Sequence, residues 1–111
     1  MTLRERQWLF MQNVAKLIQK INELGYTASF GEVYRTPEQS EINAKKGIGI
    51  RNSLHSQKLA VDINLFKDGT YITDGTGHRE LGIYWKSLHS DNHWGGDWKK
   101  MDFNHFEMSY K

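Results

Sequence analysis

No cysteine occurs anywhere in the 111 residues. Disulfides and thiolate metal sites are therefore excluded, and any metal must be held by His, Asp or Glu. Charge of one sign is also scarce: 15 Lys and Arg stand against 13 Asp and Glu, a formal net charge of +2. That balance gives no ground for a nucleic-acid partner, since a solvated surface yields the same sum. No stretch approaches the roughly 20 apolar residues that a membrane span needs. The segment beginning Met1-Thr2-Leu3-Arg4 has no apolar run of signal-peptide length. It predicts synthesis in the cytoplasm and delivery by other means to any external substrate. No repeat, low-complexity tract or linker interrupts the chain, whose length fits one domain, 1–111, expected to act as a monomer.

What is present suits a folded protein. Hydrophobic residues at 38% and charged residues at 25% exclude a disordered chain. Phe10, Val14, Leu17, Ile18, Ile21 and Leu24 recur at three- and four-residue steps, which predicts a helix over 3–24 closed by Gly25. Tyr26 to Tyr34 reads as a strand. Thr36-Pro37-Glu38-Gln39 predicts a capped helix start, with Gln39 completing a capping box and the helix running to about Lys46. A loop opened by Gly47 and Gly49 follows, through Arg51-Asn52-Ser53. Leu59 to Phe66 alternates, with Val61, Ile63 and Leu65 on one face and Ala60, Asp62 and Asn64 on the other. Asp68-Gly69 and Asp74-Gly75 flank a short strand at 71–73. A second amphipathic helix is predicted over 78–89, a loop from Ser90 to Gly96, and a last strand over 103–108. Helices followed by strands with few crossovers indicate an α+β domain: an antiparallel sheet carrying the site, with helices packed against it.

Two segments carry chemistry. In Ser53-Leu54-His55-Ser56-Gln57-Lys58-Leu59-Ala60-Val61-Asp62, a carboxylate sits mid-strand among apolar residues and needs a partner or a metal. In Asp102-Phe103-Asn104-His105, a carboxylate and an imidazole lie close together where a strand begins. A catalytic zinc uses three protein ligands and an open position, with a separate carboxylate to take a proton from water. His55, Asp62, His105 and Asp102 supply that set.

Ser-x-His followed six residues later by Asp, then an acid three residues before a final His, resembles the LAS zinc peptidases. These include D-alanyl-D-alanine carboxypeptidases, dipeptidases and phage L-alanyl-D-glutamate endopeptidases. The family motif Ser-x-His-x-x-Gly-x-Ala-x-Asp is matched at Ser53, His55, Ala60 and Asp62, and departs at Lys58. Asp in place of Glu at 102 is similar to the phage endopeptidase branch, as are Asp62-Ile63-Asn64-Leu65-Phe66 and Trp94-Gly95-Gly96-Asp97-Trp98. The resemblance implies Zn2+ on His55, Asp62 and His105, Asp102 as the base, and Arg35 holding a substrate carboxylate. A guanidinium fork suits that task, although a surface ion pair is the other reading of Arg35. Ser53 is open between a substrate contact and a turn cap. Trp94 and Trp98 read as core or rim packing, and His89 and His93 as turn residues. Glu107 is left between orienting a ligand and lying at an edge. The implied activity is hydrolysis of the L-alanyl-D-glutamate bond of peptidoglycan, as in an endolysin held in the host cytoplasm until the membrane is breached. A D-alanyl-D-alanine carboxypeptidase and a non-catalytic cell-wall binding module are the alternatives.

Overall fold

The computed structural model describes residues 1–47 and 53–110; the expected loop through Gly49, Arg51 and Asn52 lies outside the described residues. Helix α1 (Leu3–Glu23) opens on a capping box, in which Thr2 and Glu5 each accept from the other's backbone N–H. Phe10, Asn13, Leu17 and Ile21 form its buried stripe. Ile18 was expected on that stripe and is instead exposed, because its angular position lies beyond the edge that Leu17 and Ile21 define. Gly25 leaves the helix at φ 85°, the left-handed turn that glycine accommodates.

Strand β1 (Thr27–Phe30) is shorter than expected, and α2 (Pro37–Lys45) follows. Thr36 caps α2 by accepting from Gln39 N, but the box is not completed: the Gln39 amide donates to Asn43 Oδ1 at 2.7 Å instead. Strands β2 (Ala60–Lys67) and β3 (Thr70–Tyr71) form a hairpin with Asp68 and Gly69 both at positive φ. Helix α3 (Thr76–Leu88) precedes β4 (Asn92–Trp94), a single 3₁₀ turn at Gly95–Asp97, and β5 (His105–Met108). The strand β4 corrects the expectation of a loop from Ser90 to Gly96. Its three residues gain their order by pairing with β5, Asn92 opposite Met108 and Trp94 opposite Phe106.

The sheet runs β1-β2-β5-β4, with β3 also pairing β2, and every pair is antiparallel. One face carries Val61, Ile63, Leu65, Phe106 and Met108 into a core closed by Phe10, Leu17 and Ile21 of α1 and Leu81 and Trp85 of α3. Trp85 meets Phe10 and Phe106 edge-on, at ring-centroid distances of 5.6 and 6.1 Å. Its indole N–H is shared between the carbonyls of His93 and Glu107, which ties α3 to both β4 and β5. The opposite face presents Asp62 beside His105 in register. Among the described residues, no helix is long and apolar enough to cross a membrane.

Candidate metal centre

His55 comes from a 3₁₀ turn, Leu54–Gln57, that leads into β2. Ser53 caps that turn by accepting from His55 N at 3.1 Å, and its side chain is buried. Ser40 of α2 meets Ser56 at 2.6 Å, which fixes the turn from the outside. The chain leaves the turn through Lys58 at φ 60°, ψ 37°. This left-handed conformation is the one for which glycine is the ordinary solution. The departure from the family motif therefore falls where the backbone most favours the missing glycine, and Lys58 adopts the conformation nonetheless.

Asp62 is placed by β2. Its N–H donates to Glu32 O and its carbonyl accepts from Gly31 N, both at 2.8 Å, so pairing continues past the end of β1. His105 begins β5 directly opposite. The segment before it is held by four bonds to other segments: Trp94 Nε1 to Phe103 O at 2.7 Å, Asn104 Nδ2 to Asn64 Oδ1 at 2.9 Å, Asp102 N to Gly95 O at 2.9 Å, and Ile63 N to Asn104 O at 2.8 Å. At Gly95 a Cβ would fall 2.3 Å from Asp102 O and 3.0 Å from His105 Cβ. Only glycine allows the two segments to approach so closely.

These elements bring His55, Asp62 and His105 together, with one donor atom from each lying within 4.8 Å of the others. Asp62 Oδ1 is 3.4 Å from His55 Nε2 and 3.1 Å from His105 Nδ1. Tetrahedral zinc with bonds of about 2.0–2.2 Å spaces its ligand atoms by roughly 3.3 Å, so the donor set fits that ion. The electrostatics also favour a cation. Burial would push the Asp62 carboxyl up, but hydrogen bonds from His105 and His55 outweigh it and hold the pKa at about 2. Burial would push His105 down, but its bonds to Asp62 and Glu107 outweigh that and raise it to about 9. In the metal-free protein these two bonds favour the protonated form of His105, which lies between the two carboxylates.

Glu107 Oε1 lies 2.7 Å from His105 Nε2. Of the two readings of Glu107, this bond supports the first: the carboxylate holds the far nitrogen of the ring and so orients the nitrogen that faces Asp62. The Trp98 ring, 39% exposed, lies 4.9 Å from the His105 ring and forms a wall beside it. Trp94 is buried packing. Asp102 is an exposed residue near the cluster; partial desolvation of its carboxyl, together with the Asp62 charge, raises its pKa. Arg35 is half-buried and donates its backbone N–H to His55 O at 3.4 Å. His89 Nδ1 accepts from Asp91 N within its own turn, and His93 is exposed on β4, so neither joins the cluster.

Glu32 is the residue that sequence reasoning missed. Its carboxylate grips Arg35, and Oε1 lies 3.6 Å from His55 Nε2. The signal that could have found it is the i,i+3 spacing to Arg35.

The family model described as D-alanyl-D-alanine carboxypeptidase matches residues 47–108, more than half of the chain. The crystal structure of the L-Ala D-Glu endopeptidase ChiX from Serratia marcescens is similar with a TM-score of 0.70 and 18% identity. The match covers 88% of this chain and 79% of that one, and at this identity it establishes the shared fold. No curated protein matches the chain in sequence.

Proposed function

This chain belongs to the peptidase family described as D-alanyl-D-alanine carboxypeptidase, and from that premise we propose a zinc-dependent endopeptidase that hydrolyses the L-alanyl-D-glutamate bond of peptidoglycan stem peptides. The observation that carries the reading is the convergence of His55, Asp62 and His105 beside Asp102, a carboxylate outside the donor cluster. His55, Asp62 and His105 would hold the ion. When bound, zinc acts as a Lewis acid towards the scissile carbonyl and lowers the pKa of water.

The chain's own residues supply the rest. Asp102 takes a proton from the attacking water at its carboxylate and returns it to the leaving amine. Its raised pKa brings it nearer the range in which one group can do both. Arg35 receives the substrate carboxylate that adjoins the scissile bond. Trp98 shields one side of His105 from water.

An L-alanyl-D-glutamate bond is favoured over a terminal D-alanyl-D-alanine bond by two features. Asp is the base, as in the endopeptidase branch that the sequence resembles. Asp102 and Trp98 are exposed while Glu32, Asp62 and Glu107 are half-buried, so the site opens to solvent and admits a polymer. The similar Serratia endopeptidase carries the same bond in its name. An endolysin-like setting, in which the chain waits in the host cytoplasm and meets the wall after membrane breach, completes the proposal.

The test is digestion of purified cell wall by metal-loaded protein, with mass analysis of the products. New N-terminal D-glutamate on stem peptides is the expected result. Release of free D-alanine alone would replace this reading with a carboxypeptidase. Binding without any cleavage by the metal-loaded protein would leave a wall-binding module.

A further inference from the structure

We propose that Glu32 is a positioning residue, which clamps one edge of the Arg35 guanidinium so that the other edge faces the substrate carboxylate. The inference rests on the role of Arg35 in the function proposed above. Glu32 Oε2 accepts from Arg35 Nε at 3.1 Å, and Oε1 accepts from Nη2. A guanidinium has two such forks. The clamp fills the Nε–Nη2 side and leaves the parallel N–H groups of Nη1 and Nη2, the fork that matches a second carboxylate.

Exposed ion pairs of this spacing contribute little, because two free side chains must be held still. Here both backbones are already fixed. Glu32 O accepts from Asp62 N at 2.8 Å, and Arg35 N donates to His55 O at 3.4 Å. Each partner is therefore anchored to a residue of the metal cluster, and the side chains are only 17% exposed for Arg35 and 33% for Glu32. The distance from fork to metal cluster is thereby set by two backbone bonds and one bidentate pair. Glu32 Oε1 also lies 3.6 Å from His55 Nε2, but both of its oxygens accept from Arg35, and it is not among the three residues whose donor atoms lie within 4.8 Å of one another.

Two effects oppose each other. The Glu32 charge offsets the attraction of Arg35 for an anionic substrate, while the bidentate bond fixes the guanidinium plane. Loss of orientation at a reacting centre lowers rates by roughly 10- to 100-fold. The through-space attraction lost to a neighbouring charge in a partly solvated site is smaller, so orientation dominates.

The experiment compares wild type, Glu32→Gln and Glu32→Ala. Glutamine keeps the shape but cannot accept both N–H groups. Both variants should retain full metal content and lose roughly 10- to 100-fold in kcat/KM on a stem peptide with a free α-carboxylate. The loss should shrink on the same peptide with that carboxylate amidated, and Glu32→Ala should add little in an Arg35→Ala background. An equal loss on both peptides would show a merely structural role, and a gain would show charge competition; either overturns the proposal. The Arg35 Nε–H NMR signal tests the clamp without substrate. It should be sharp and slowly exchanging in wild type and broadened in Glu32→Gln, and identical signals would refute the clamp. Failure of the wild type to cut any wall peptide would count against the proposed function, whereas these signals decide the clamp itself.

Discussion

Lys58 offers a direct measure of what the turn between His55 and Asp62 demands. It sits at φ 60°, ψ 37°, immediately before Leu59 N closes the turn on Leu54 O at 2.9 Å. For an L-residue this conformation costs roughly 1–2 kcal/mol. Glycine removes that strain but loses about 0.5–1 kcal/mol in backbone entropy on folding. Lys58→Gly also deletes the contact of Nζ with the Tyr34 ring, 5.7 Å from its centroid, a contribution of roughly 0.5 kcal/mol at such a site. Lys58→Ala deletes the same contact and keeps the strain, so comparing the two variants isolates the backbone. Glycine should exceed alanine by about 0.5–1 kcal/mol, near 2–5 °C in Tm for a domain of this size. Thermal unfolding of both variants, metal-free and in one buffer, is the assay. A Lys58→Gly protein less stable than Lys58→Ala would show that the turn is not held in the left-handed region.

Three further outcomes follow from the site. Glu107→Ala should weaken zinc by roughly 10- to 100-fold in a chelator-competition titration, because His105 loses the carboxylate that orients its ring. Asp102→Asn should keep full metal content while kcat falls by about 10²–10⁴, read by metal analysis beside steady-state rates. The raised His105 pKa makes the metal-free fold pH-dependent in one direction. The stability from its protonated form is complete below pH 6.5, the unfolded value, and is lost as pH rises through about 9. The Tm of metal-free protein should decline across that window, and a rise there would refute the pairing with Asp62 and Glu107.

Local periodicity made most of the framework legible. The stripe Phe10, Leu17, Ile21 and the alternation of Val61, Ile63 and Leu65 are set by burial at helical and strand periods, which depend on nothing distant. Strand β4 was not legible, because Asn92-His93-Trp94 is ordered by its pairing to β5 rather than by its own propensity. The candidate donor cluster was readable because His55, Asp62 and His105 stand in an ordered motif that resembles the family's. Glu32 had only its i,i+3 spacing to Arg35 as a signal, because its place beside the cluster depends on the backbone bond from Asp62 N. The role of Glu107 needed the rotamer of His105, which spacing along a strand leaves open between its two ring nitrogens.

The same alternation explains why core and site are not independent. Strand β2 gives its odd positions to the core and its even positions to the opposite face, so Asp62 is aimed by Val61 and Ile63 on either side of it. Strand β5 does the same with Phe106 and Met108 inward and His105 and Glu107 outward. A slip of one residue between these strands would turn Asp62 towards Phe106 and scatter the donors. The register is fixed by apolar burial at Val61, Ile63, Phe106 and Met108, each side chain contributing roughly 1.5–3 kcal/mol. The 3.1 Å separation of Asp62 and His105 is therefore enforced from behind the sheet. The apolar side of the sheet thus sets the register, and the pairing of His105 with Asp62 and Glu107 adds to a geometry that this burial already fixes.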